Sequence, residues 1–248
     1  MIYVIGIGPG GIDGITIEAL EALKKCDVIS GYKVYVDLVK KFLPKKIFAS
    51  YPMRTEVERC KDALVYSQEL KKNVALISSG DSGVYGMAGL MLEVANNSGE
   101  KIEIIPGVTA ANSAAAILGA PLMNDYVNIS LSDLMTSWEI ISKRLKSACE
   151  GDFVICVYNP ASRKRPENFK KACEILLEYK SPDTPCGYVR NIKRDEQDAQ
   201  IMTLAEIKNC KAVDMFTTVI IGNSQTYISE DKKLITSRGY KKQLEMRN

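Results

Sequence analysis

The chain of 248 residues contains no histidine. That removes the side chain that most often moves protons near neutral pH, and the commonest transition-metal ligand. It weighs against a Ser-His-Asp or Cys-His hydrolase and against the usual catalytic zinc site. Cysteine is present but unorganised. The seven residues Cys26, Cys60, Cys149, Cys156, Cys173, Cys186 and Cys210 are odd in number and never fall as CxxC, which argues against a disulfide framework or structural zinc. They read as buried or incidental thiols. Long apolar runs are missing too: the densest, Ala114 to Met123, is broken by Gly119 and Pro121, far short of the roughly 20 residues a membrane helix needs. No basic segment followed by an apolar one and a cleavage site opens the chain, so the expectation is a cytoplasmic protein without a membrane partner. The net charge of +3 is too small to announce a nucleic-acid partner, whose footprint is usually a concentrated basic face.

What is present is ordinary for a globular protein, 46% hydrophobic and 25% charged, and long enough for one large or two small domains. Strand and helix patterns alternate, which favours an α/β fold built from parallel βαβ units. Met1 to Ile7, Val74 to Ile77 and Ile102 to Ile105 read as strands of a first half. Thr55 and Glu58 are spaced as a capping box before Val57, Cys60, Leu64, Ser67 and Leu70 at helical spacing. An alanine-rich helix is expected from Thr109 to Leu118. The pattern breaks at 119–125, which divides the chain into an N-terminal domain, 1–118, and a C-terminal domain, 126–248. In the latter, Tyr126 to Leu131, Phe153 to Val157, Cys186 to Arg190 and Phe216 to Ile221 read as strands. Thr136 and Glu139 would cap a helix carrying Trp138, Ile141, Leu145 and Ala148, and a second helix runs from about Pro166 to Tyr179.

Three apolar strands of the first half end in glycine-bordered turns: Gly6 to Gly11, Ser78 to Gly86, and Pro106 to Thr109. Such turns suit close approach of a polar ligand through free backbone N–H groups, and three of them could line one edge of one sheet. Open α/β sheets bind ligands beyond the carboxyl ends of their strands. Gly6, Gly8 and Gly11 also satisfy the dinucleotide pattern GxGxxG, which leaves a nicotinamide-dependent oxidoreductase as an alternative. Against it, Pro9 has no N–H to offer a pyrophosphate, and no acidic residue closes the second strand: Asp27 precedes Val28-Ile29 and Asp37 lies in a helical pattern.

Gly8-Pro9-Gly10, Gly80-Asp81 with Tyr85-Gly86, and Pro106-Gly107-Val108-Thr109-Ala110 together resemble the signature of the tetrapyrrole methylases. Those enzymes use S-adenosylmethionine to methylate carbons of porphyrin-like rings. The resemblance runs nearly end to end. Ile129 to Leu134, Val157-Tyr158-Asn159-Pro160, Val189-Arg190-Asn191-Ile192, Asp214 to Ser224 and Arg238-Gly239-Tyr240 narrow it to members that act in cobalamin biosynthesis. Those members methylate ring carbon 17 of precorrin-3B or its cobalt form and contract the ring. A tetrapyrrole methylase acting at another carbon, or a non-catalytic carrier of the ring, remains open beside it.

The resemblance implies two α/β domains with the cofactor cleft between them, a homodimer, and no protein-bound metal. It implies cofactor contacts from Pro9, Gly80, Asp81, Val84, Thr109, Ala110, Tyr158, Asn159, Asn191 and Ile192. Asp81 is a candidate acceptor for a ribose hydroxyl or the ammonium group, and its other reading is a turn stabiliser. The ring's acetate and propionate arms suit arginine, which points to Arg163, Arg190 and Arg194, with Ser132 nearby in the pattern and Arg54 and Arg238 outlying. A solvated charged surface is the plainer reading of the Arg163-Lys164-Arg165 run. No side chain identifies itself as the catalytic acid or base. Two positions depart from the family: Ser82 stands where proline is usual, which is expected to loosen the turn, and Asn124 stands where related chains often carry histidine.

Overall fold

The computed structural model describes residues 1–162 and 165–240. The chain divides into two compact units, Met1–Ala110 and Ala111–Asn248.

The first unit alternates strand and helix without exception: β1 (Ile2–Gly6), α1 (Ile17–Lys25), β2 (Val28–Tyr32), α2 (Lys33–Lys40), β3 (Ile47–Tyr51), α3 (Glu56–Gln68), β4 (Val74–Ser78), α4 (Ala88–Val94) and β5 (Ile102–Ile105). All strands are parallel in the order β3-β2-β4-β1-β5. Because side chains alternate across a strand, each strand feeds two cores. Ile5, Ile29, Ala75 and Ile77 pack under Ala19 and Leu23 of α1 and Val36 and Val39 of α2. Val4, Val28, Val74 and Leu76 pack under Cys60 and Ala63 of α3 and Ala88 and Met91 of α4.

The N-terminus of α3 differs from the expected capping box. Thr55 makes no side-chain cap; its hydroxyl donates to the Pro52 carbonyl at 3.0 Å. The buried face is also rotated from the apolar stripe: Val57 and Leu70 are exposed, while Arg59, Cys60, Ala63 and Ser67 are buried.

The second unit begins with α5 (Ala110–Leu118), whose first residue closes the first unit, and β6 (Gly119–Ala120). It continues through β7 (Tyr126–Ser130), α6 (Trp138–Glu150), β8 (Val154–Tyr158), α7 (Asn168–Leu177), β9 (Pro185–Arg190), β10 (Asp198–Thr203), α8 (Leu204–Ile207), β11 (Thr217–Ile221), β12 (Thr226–Ile228) and β13 (Leu234–Thr236). Its large sheet has the order β10-β9-β11-β8-β7. Only β7 and β8 pair parallel; β11 runs against both β8 and β9, and β10 against β9. The expectation of parallel units throughout therefore holds for the first half alone. The seven-residue connection between β9 and β10, 191–197, carries no helix, and a direct return of that length makes an antiparallel pair.

The interdomain segment expected at 119–125 is not a plain linker. Gly119 and Ala120 pair with β13 in a small sheet of order β12-β13-β6. The helix before it, expected in the first domain, groups with the second unit. Leu118 packs where Gly187 of β9 has no side chain: a Cβ there would stand 2.8 Å from Leu118 Cδ1. The Ala111 N–H donates to the Tyr158 hydroxyl oxygen at 2.9 Å. Position 187 accepts the helix only because it is glycine.

Helix α6 starts at Trp138 with Ser137 as N-cap and no side-chain cap, so the expected Thr136–Glu139 box does not form. A complete box appears instead at Thr203 and Glu206, at the start of α8. Among the described residues, no helix is long and apolar enough to cross a membrane.

Candidate active site

The three glycine-bordered turns of the first unit follow β1, β4 and β5, which are neighbours in the sheet, so the turns meet at its carboxyl edge. They meet backbone to backbone. Gly8 N–H donates to Gly80 O at 3.0 Å and Gly80 N–H to Gly8 O at 2.7 Å. A Cβ on Gly107 would stand 2.2 Å from Gly80 O and 2.6 Å from Gly6 O, so no other residue fits there without moving the turns apart. The amides of Gly8 and Gly80 are thus spent on each other, which corrects the expectation that every turn offers its N–H groups to a ligand. Gly80 has φ +68°, and the Cβ it lacks would stand 3.5 Å from Ala110 N and 3.7 Å from Thr109 Cα. The missing side chain leaves space beside the backbone of Thr109 and Ala110, at the start of α5. Pro9 is buried beside this junction, and Val84 is half-buried.

Asp81 acts as a knot. Oδ1 accepts from Gly83 N–H at 2.8 Å and Val84 N–H at 3.1 Å, while Oδ2 accepts from Gly107 N–H at 2.9 Å. The carboxylate holds its own turn and ties it to the turn after β5. Ser82 reinforces the tie and does not loosen it: the side chain is fully buried and its hydroxyl donates to Ile105 O at 3.1 Å. A proline at that position would have no hydroxyl to make this bond. Sequence reading had no signal for either contact, because both join residues more than 20 positions apart.

The pattern GxGxxG does not lead into a helix. Gly11 precedes a single 3-10 turn, Ile12–Gly14, and α1 begins only at Ile17, capped by Thr16, whose hydroxyl accepts from Ala19 N–H at 3.1 Å. A pyrophosphate seat needs the helix N-terminus at the glycines. This one lies too far along the chain.

In the second unit, the expected residues gather at the carboxyl ends of β7, β8 and β9, which point the same way. Tyr158 ends β8 with its hydroxyl on the N-terminus of α5. Asn159 follows in a left-handed conformation, φ +51°, and its side-chain amide donates to Ser130 Oγ at 2.9 Å. Asn191, after β9, also has φ +51° and donates its N–H to Phe216 O, while Ile192 is buried. Non-glycine residues held in this region are uncommon, and asparagine tolerates it best. The arginines expected to meet substrate are partly engaged already. Arg190 Nε donates to Asp214 Oδ2 at 2.8 Å, and this partner pushes the guanidinium pKa further up. Arg194 is half-buried and its N–H returns to Asn191 O. Ser132 Oγ accepts from Arg165 Nη1 at 2.7 Å, and Asp133 takes the same nitrogen at 3.1 Å. Arg163 lies outside the described residues. Of the outlying candidates, Arg54 and Arg238 are both exposed, and Asn124 is exposed in the turn before β7.

The thiols are free, and burial pushes Cys26, Cys156 and Cys173 up to about 12, Cys60 to about 11, and Cys149 and the deepest, Cys186, also above the ordinary thiol range. They stay protonated at neutral pH and are poor nucleophiles. Among the described residues, no group of three His, Cys, Asp or Glu side chains could hold a metal ion.

The family model of the Tetrapyrrole (Corrin/Porphyrin) Methylases matches residues 1–208. A "Probable cobalt-factor III C(17)-methyltransferase" of Salmonella typhimurium is 47% identical over 242 residues, covering 97% of this chain and 99% of its own. The "Cobalt-factor III methyltransferase" of Priestia megaterium is 45% identical over 247 residues, covering 97% of this chain; the match spans only 45% of that longer protein. The crystal structure of the methyltransferase CobJ has a TM-score of 0.88 at 34% identity, covering 95% of this chain and 99% of that one.

Proposed function

Because the chain belongs to the tetrapyrrole (corrin/porphyrin) methylases, we propose that it transfers a methyl group from S-adenosylmethionine to ring carbon 17 of cobalt-factor III, or of precorrin-3B, in cobalamin biosynthesis. The observation that carries this reading is the 47% identity to the Salmonella protein through 97% of one chain and 99% of the other. The relatives at 45% and 47% identity are both named for cobalt-factor III, which favours the cobalt-bearing substrate.

The residues present fit the donor. The space left by the missing side chain of Gly80 faces the backbone of Thr109 and Ala110, a cradle that a Cβ would fill. Gly80, Val84, Thr109 and Ala110, beside Pro9, would hold it in the first unit. The bound sulfonium supplies a methyl group already activated for transfer. The protein's share is orientation and exclusion of water, and orientation alone can contribute about 7–11 kcal/mol to such a reaction. Asp81 serves this indirectly, by fixing the two turns that frame Gly80. Arg163, Arg190 and Arg194 with Ser132 would hold the acid arms of the ring, Arg190 by sharing its fork between Asp214 and a substrate carboxylate. No step asks for histidine. We extend the reading to a cytoplasmic homodimer, in keeping with the exposed apolar residues Ile104 on the edge strand β5 and Val108 shortly after it.

The purified protein, given methyl-labelled S-adenosylmethionine and a panel of cobalt-factor and precorrin intermediates, is expected to label only the substrate whose carbon 17 is unmethylated. Label entering an earlier intermediate alone would reject the carbon-17 assignment. Sedimentation equilibrium at micromolar protein checks the dimer.

A further inference from the structure

Arg59 is a buried cation that forms no ion pair among the described residues. It lies in the second turn of α3 and is 4% exposed, and Glu56 on the same helix attracts it without an ion-pair contact. Among the described residues, Nε has no hydrogen-bond partner. Nη2 reaches the Pro52 carbonyl at a long 3.4 Å, Nη1 faces the Met87 thioether at 3.7 Å, and the guanidinium carbon sits 5.7 Å from the centre of the Tyr51 ring. These are weak acceptors for a full charge, and desolvation lowers the guanidinium pKa. Removing a charge from water without pairing it is costly, and chains keep such a group when something else completes it.

Its place in the fold says what that is. Tyr51 ends β3 and Pro52 follows it, while Met87 closes the loop after β4 and anchors its N–H on Ser78 Oγ at 3.2 Å. The guanidinium therefore lies at the carboxyl edge of the first sheet, where ligands of such sheets bind. It is on the β3–β2–β4 side, whereas the cofactor cradle is built on β4, β1 and β5. Strands sit about 4.8 Å apart, so the centres of these two regions are separated by roughly 10 Å, a distance suited to a large ring beside the donor.

We propose that Arg59 binds a carboxylate arm of the ring substrate, which takes the place of the Pro52 carbonyl and the Met87 sulfur as a two-pronged partner of the guanidinium. This rests on the ring-substrate reading above. The same chemistry could come from the carboxylate of the donor's amino-acid end, and the test separates the two.

The experiment has two arms. In the first, wild type, Arg59→Met and Arg59→Lys are melted with and without tricarballylate, a small tricarboxylate with no ring. Wild type is expected to gain stability from the anion and Arg59→Met to gain none; absence of protection in wild type overturns the carboxylate site even if cobalt-factor III proves not to be the substrate. In the second, methyl transfer to cobalt-factor III is followed at saturating donor. Arg59→Met is expected to raise KM about 10- to 100-fold with little change in kcat, and Arg59→Lys to recover part of it. Affinity for S-adenosylhomocysteine, read by calorimetry, should stay that of wild type. An unchanged KM in Arg59→Met overturns the proposal, as does a loss of S-adenosylhomocysteine affinity that matches the rise in KM. Failure of wild type to turn over any ring substrate rejects the functional reading instead, and leaves the first arm to decide the site.

Discussion

A single carboxylate, that of Asp81, closes two loops: it takes the amides of Gly83 and Val84 on one oxygen and that of Gly107 on the other. Replacing it with asparagine keeps the size but removes the charge and one acceptor, so Asp81→Asn is expected to lose about 1.5–3 kcal/mol of stability in urea denaturation and to weaken S-adenosylhomocysteine binding with it. Weakened binding at unchanged stability would show that the carboxylate meets the cofactor directly. The sequence marks Asp81 as important, through its place beside Gly80, but leaves two roles open. The partner that decides between them, Gly107, is 26 residues away and carries no side chain to signal the contact. Ser82 departs from the expected loosening for the same reason: its hydroxyl finds the carbonyl of Ile105, which only the folded sheet brings near.

Among the elements, helices were recognisable from their spacing, and their ends were not. The boxes expected at Thr55 and Thr136 are absent, and the one that forms, at Thr203, starts a helix of four residues too short to show a period. There the Thr203 N–H and hydroxyl hold Glu206 below its ordinary pKa of 4.5. A depressed carboxylate stabilises the fold above its unfolded pKa and loses that contribution as pH falls through the folded value. Glu206→Gln is therefore expected to melt below wild type at pH 7, with the gap closing as pH drops beneath 4.5; a gap constant with pH would deny the charge any part. Helix α5 tests packing. Its alanines suit close approach, but Leu118 is what enters the space over Gly187. Leu118→Ala is expected to cost about 2–5 kcal/mol in urea denaturation, and a change near zero would mean that the site collapses without strain.

For the whole molecule, the missing histidine becomes a kinetic statement. With no imidazole and with the deepest thiols held at about 11 to 12 or higher, the protein has little to titrate near neutrality. The logarithm of kcat/KM is expected to be flat, within about twofold, between pH 6 and 8. A steep limb inside that window would reveal a perturbed acid or base that the described residues do not display. The same scale shows where alternation of strands and helices misleads. Strand β11 slots between β8 and β9 and runs against both, so the second sheet is mixed although its helices are spaced like those of the first.

The amino-acid sequence alone determined the α/β class, the strands that end in glycine turns, the family, and the absence of histidine chemistry, since each is written in local composition, short motifs or period. The tertiary structure decided which of those turns touch, which unit owns α5, and which charges meet partners: Asp81 three amides, Arg190 a carboxylate, Arg59 only a carbonyl, a thioether and a ring face among the described residues. Hydrogen bonds and close backbone approaches join residues far apart in the chain. Their geometry depends on strand order, and a one-dimensional pattern does not encode that order.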